Sequence, residues 1–153
     1  MKLLVVAHPD DEILWFNPSE YDKIIIVFGN FGDARGSDGG DRRRKAIAEH
    51  PLADKIVHLN ITESNFTRDK KKESVYKLNQ KVIEDKLKEF IEENEVTEVT
   101  THNGYGEYGH LEHIQLFYAC MKVFDCPVNG KNPEIFRKAM EVYKRNKVWT
   151  WYG

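Results

Sequence analysis

The feature that most restricts this chain is a short apolar run that stops in a cluster of charge. Leu3-Leu4-Val5-Val6-Ala7 is followed without a spacer by His8-Pro9-Asp10-Asp11-Glu12. A continuous rather than alternating apolar run marks a strand covered on both faces, as in a parallel sheet between layers of helix. Three adjacent carboxylates at the end of such a strand repel one another, so the fold has to offset that charge. A divalent cation would do so, and an imidazole beside carboxylates is a donor set that zinc and similar ions prefer.

The rest of the chain repeats the alternation of strand and helix. Lys2–Ala7 predicts a first strand, Asp11–Phe16 a short helix stopped by Asn17-Pro18, and Lys23–Phe28 a second buried strand. A glycine-rich loop follows, in which Gly29, Gly32, Gly36, Gly39 and Gly40 read as a mobile lid, because neither phosphate-binding glycine spacing occurs. Arg42–Glu49 predicts a basic helix with Asp41 as N-cap, and Lys55–Leu59 a third strand. Ser74–Asn94 carries a helical apolar stripe, Glu95–Thr101 predicts a fourth strand, and His113–Phe124 and Pro133–Arg145 two further helices. The aromatic, β-branched tail Val148–Tyr152 predicts a last strand. Such alternation implies an α/β fold, a mostly parallel sheet sandwiched by helices, in one domain spanning residues 1–153.

Ligands of these sheets bind outside the carboxyl ends of the strands. His8–Glu12 falls there after the first strand, and His102–His113 falls there after the fourth. Taken alone, His-Pro-Asp is a turn with a helix-capping aspartate, and a lone HxxH is a common surface pattern. Their coincidence on one rim favours a metal site. His50, His58 and His102 read as structural, His102 with a supporting place behind the ligands. Trp15 and Phe16 read as core, whereas Phe31 and Tyr105 lie in polar loops where a sugar face could stack.

Composition excludes other classes of function. The formal net charge is -2, so no global field draws nucleic acid or an anionic membrane surface. The N-terminal apolar run is too short for a signal or a membrane span, and two cysteines, Cys120 and Cys126, fit reduced thiols. These traits lead to the expectation of a cytoplasmic protein without nucleic-acid partners or membrane insertion; they leave its oligomeric state open.

AHPDDE after a first strand, with GYGEYGHLEH later, closely resembles the LmbE-like/PIG-L family of zinc-dependent de-N-acetylases. The resemblance implies a Rossmann-like fold and removal of an acetyl group from an N-acetylglucosamine-type sugar or sugar conjugate. It implies His8, Asp11 and His113 as metal ligands, Asp10 as general base, His110 as the opposing cation or general acid, and Tyr108 in the oxyanion pocket. Between the two histidines the family usually carries Pro-Asp. Here Leu111-Glu112 stands there, and Glu112 keeps a carboxylate able to tune His110. The family's Arg-x-x-Glu pattern is also incomplete: Arg42, Arg43 and Arg44 are present without the glutamate, and Arg43 is taken as the substrate contact. The donor set itself accommodates Fe2+ as well as Zn2+. Two other readings stay open on the residues alone, a non-catalytic metal-dependent sugar or nucleotide binder and a non-haem Fe(II) oxygenase.

Overall fold

The computed structural model describes residues 1–31 and 39–150. Four strands form one all-parallel sheet: β1 Lys2–Val6, β2 Lys23–Asn30, β3 Ile56–Thr62 and β4 Glu98–Thr101, in the order β3-β2-β1-β4. β1 is central, with Leu3 opposite Lys23 of β2 on one side and Val99 of β4 on the other.

Its unbroken apolar run is explained by the two faces it serves. Leu3, Val5 and Ala7 join Ile25 and Val27 on one face, while Leu4, Val6, Ile24 and Ile26 point to the other. Helices α3 (Glu73–Glu93) and α5 (Leu111–Val123) cover the first face through Ile83, Leu87, Leu116, Phe117 and Cys120. Helix α2 (Gly39–Ala48) covers the second through Ile47, helped by Phe16, Tyr21 and Leu52. Each large side chain fully buried here stabilises the fold by about 1.5–3 kcal/mol. The remaining helices are α1 (Asp11–Leu14), α4 (Gly106–Gly109) and α6 (Pro133–Arg145). No described helix is long and apolar enough to cross a membrane, and both cysteines are free thiols.

Three expectations are corrected. Gly29 lies inside β2, where a Cβ would stand 2.5 Å from Asn60 Oδ1 and 2.8 Å from Asn60 Cα, so close strand approach rather than mobility requires the glycine. Gly39 and Gly40 open α2, which places Asp41 in its first turn instead of at its cap; Gly32 and Gly36 lie outside the described residues. Val148–Thr150 form no strand, Trp149 is exposed, and Trp151 and Tyr152 fall outside the described residues. The outer edge of β4 is closed instead by Val128, which bridges to Val99, while Asn129 Oδ1 accepts the Thr101 N–H (2.8 Å).

Because every strand runs the same way, Ala7–Glu12, Glu63 and His102–His113 emerge on one rim of the sheet.

Candidate metal centre

The chain turns sharply as it leaves β1. Asp11 N–H donates to the His8 carbonyl (3.1 Å), and His8 N–H donates to Asp11 Oδ2 (2.9 Å), so the two residues clamp each other across the turn. Asp10, between them, is forced into the left-handed region at φ 108°. That conformation costs a non-glycine residue on the order of 1–3 kcal/mol, and it persists only where the surroundings over-determine it.

The loop after β4 is longer and largely self-supporting. Asn103 Oδ1 accepts the N–H groups of Tyr105 (2.9 Å) and Glu107 (3.1 Å), and Gly106 and Gly109 take up positive φ values of 64° and 95°. Glu107 adopts φ 62° without being glycine. α5 begins earlier than the sequence suggests, so His110 is its N-cap: the His110 Nδ1 accepts the Glu112 N–H (3.2 Å). The His110 and His113 rings still stack, with centroids 4.5 Å and planes 11° apart.

The two rims meet at Asp11. Its Oδ2 lies 3.2 Å from His8 Nδ1 and 3.2 Å from His113 Nε2. Glu107 Oε2 engages His113 Nδ1 at 2.7 Å, leaving Nε2 buried, facing Asp11 and without a hydrogen bond. His102 lies flat against His113, with centroids 3.7 Å apart. Its Nε2 accepts the Ala7 N–H (3.0 Å), so its proton sits on Nδ1, 3.1 Å from Glu107 Oε2. His102 thus supports the rims rather than facing the cleft. His8 Nε2 stands 2.9 Å from Glu112 Oε1 and 3.3 Å from Glu63 Oε1. The Glu112 carboxylate expected to tune His110 therefore serves His8, because His110 Nδ1 is already taken by the Glu112 backbone.

The electrostatics follow from these contacts. Burial opposes charge on His8, but bonds to Asp11, Glu112 and Glu63 outweigh it and raise its pKa well above the ordinary imidazole value. Asp11 and Glu107 likewise raise His113 against burial. Burial opposes charge on Asp11, but the His113 and His8 imidazoles beside it hold its carboxyl well below the ordinary carboxylate range. Burial, opposed and overcome by bonds from His102 and His113, leaves Glu107 at about 2. Burial pushes His110 down to about 4, assisted by the neighbouring His8 and His113 charges, so the cationic form expected from the sequence is disfavoured in the ion-free chain. Burial, then the charges of Asp11 and Glu12, raise Asp10.

The arrangement fits a divalent ion. Ligand atoms around a tetrahedral zinc with ~2.0–2.1 Å bonds stand about 3.3 Å apart. The 3.2 Å separations from Asp11 Oδ2 to two imidazole nitrogens match that spacing. A buried nitrogen with no partner beside a carboxylate oxygen is what a shared cation would satisfy. Three sets of donor atoms lie within 4.8 Å of one another: His8 with His110 and His113, Asp11 with His102 and His113, and His8 with Glu63 and Glu112. The expected trio of His8, Asp11 and His113 is not one of these sets and is joined pairwise through Asp11 Oδ2.

A cleft of about 320 Å³ opens over this group, walled by His8, Asp10, Trp15, Arg43, Tyr108 and His110 among others. Of the three arginines, Arg43 reaches it: its Nη1 donates to Glu63 Oε2 (2.8 Å), and its guanidinium lies over the Phe31 ring, 4.1 Å from the centroid. Glu63, after β3, is thus the carboxylate that pairs with Arg43. Arg44 turns to Asp41 and Asn30 instead, and Arg42 is exposed. Trp15 is not core. It is 44% exposed at the end of α1, its ring 6.1 Å from that of Tyr108, while Phe16 packs edge-on to His102. Glu63 and Glu107 are the contributors that sequence reasoning missed. The signal for Glu107 was its place inside the histidine-bearing loop; Glu63 had only its position after a strand on the same rim.

Residues 3–124 match the family model described as PIG-L, GlcNAc-PI de-N-acetylase. No curated protein and no solved structure matches the chain.

Proposed function

This chain belongs to the PIG-L family and is a deacetylase-type hydrolase; from that premise we propose that it uses zinc to remove the acetyl group of an N-acetylglucosamine-type sugar or sugar conjugate. The observation that carries the reading is the Asp11 carboxylate set 3.2 Å from both His8 Nδ1 and an otherwise unbonded His113 Nε2. His8, Asp11 and His113 would hold the ion. When bound, it lowers the pKa of a coordinated water to about 7 and polarises a carbonyl oxygen.

The chain's own groups carry the proton and orient the substrate. Asp10 is the general base: burial and then two acidic neighbours, Asp11 and Glu12, raise its proton affinity. Attack by water forms a C–O bond, the C–N bond then breaks, and acetate and a free amine leave. The proton Asp10 collects is the one available to the departing amine, because His110 rests neutral. His110, with Nδ1 capping α5, keeps its proton on Nε2 and offers it as a hydrogen bond to the developing oxyanion, as does the Tyr108 hydroxyl. Arg43 and Trp15 hold the sugar in the cleft.

Acetate release from zinc-loaded protein given a panel of N-acetylated sugars tests the proposal. Release that stops on chelation supports it. Tight binding of the same sugars with no acetate formed identifies a non-catalytic binder and overturns it.

A further inference from the structure

Glu12 and His50 lie outside the roles assigned so far, yet together they reach the proposed base. Asp10 holds its left-handed backbone at φ 108° with its N–H donated to Glu12 Oε2 (3.0 Å). Glu12 is 3% exposed, and its other oxygen, Oε1, stands 3.1 Å from His50 Nε2. His50 Nδ1 accepts the Leu52 N–H (2.9 Å), which places the ring proton on Nε2, directed at Glu12. A single chain of donors therefore runs from the segment after α2, through a buried carboxylate, to the amide of a strained residue. The brace adds to the His8–Asp11 clamp across the same turn, and the Asp10 side chain makes no capping bond of its own.

We infer that Glu12 and His50 are positioning residues that fix the Asp10 carboxylate over the cleft. The inference rests on the reading of Asp10 as general base. A displacement of a reacting group by about 1 Å can cost on the order of 10²-fold in rate. The brace accounts for the third acid of the opening cluster, which is not among the cleft-lining residues. It also gives the buried Glu12 two donors, one for each oxygen.

The test uses the full chain loaded with zinc. His50→Ala removes the donor to Glu12, and Glu12→Gln sets an amide N–H against one of the two donors it must accept. Each is expected to lower kcat for acetate release by roughly 10- to 100-fold with KM and zinc content unchanged. The double variant is expected to lose no more than the stronger single one, because both act through one path. His50→Gln, which keeps a donor near the Nε2 position, is expected to recover most of the rate. Independently of turnover, hydrogen exchange at the Asp10 amide should quicken at least about tenfold in His50→Ala. Unchanged exchange at Asp10, or additive losses in the double variant, overturns the inference. If the unaltered chain releases no acetate from any N-acetyl sugar, the proposed function fails, and the exchange measurement still decides whether the brace exists. Should Glu12→Gln not fold, the two His50 variants carry the same test.

Discussion

The two rims that meet at Asp11 are built differently. The β1 rim delivers His8, Asp10, Asp11 and Glu12 in one tight turn, anchored to a strand with no exposed residue from Leu3 to Ala7. The β4 rim reaches the same point through a long loop held by its own side chains. Glu107 is the hinge of that loop: it bonds His113, faces His102, and exchanges hydrogen bonds with Asn103. Each rim carries one non-glycine acid at positive φ, Asp10 on the first and Glu107 on the second. On the β1 rim the strained acid lines the cleft, and on the β4 rim it stands behind the His113 ring. On the proposed function, backbone geometry would set chemistry on one side and orientation on the other.

That contrast predicts graded consequences. The hub belongs to both rims, so Asp11→Ala and His113→Ala should each abolish zinc binding, seen as near-zero metal content after dialysis; full occupancy in either would detach that residue from the ion. Next comes Asp10→Asn, expected to lower kcat by about 10²–10⁴-fold while zinc content stays normal. Glu107→Gln should act more mildly, weakening zinc affinity by about 10- to 100-fold through loss of the His113 orienting bond. A larger kcat loss for Glu107→Gln than for Asp10→Asn would reverse the assignment of the two rims.

Acid provides a subtler probe. The folded-state values of Glu107 and Glu63 are lowered to about 2, so their stabilising contribution is present above the ordinary carboxylate value near 4.5. It is lost as pH falls from there towards 2. Denaturation midpoints of the ion-free chain should therefore drop across that window, and Glu107→Gln should flatten the slope. The smallest effect is expected from Trp15→Ala, a rise in KM of about threefold to tenfold with kcat kept, the size of one aromatic contact of ~1 kcal/mol.

The legibility of the molecule follows the same division. β1 and its charged terminus were readable because an apolar run and a motif are local properties of the chain. The same holds for α6, where Asn132 caps Ile135 N–H and Pro133 starts the helix as its sequence position requires. Glu63 was hidden because its partners, His8 and Arg43, lie on other segments. Trp15 was misread because α1 ends at Leu14, and the turn that follows directs the indole into the cleft rather than under the sheet. The new partner of Glu112 follows from the cap at His110, a single hydrogen bond that no periodicity encodes.

The meeting of the rims is tested most directly by anomalous diffraction at the zinc edge from crystals of the zinc-loaded protein. A single peak within bonding distance of Asp11 Oδ2, His8 Nδ1 and His113 Nε2 is the result expected. A peak elsewhere, with the His113 ring turned away from Asp11, would contradict the account.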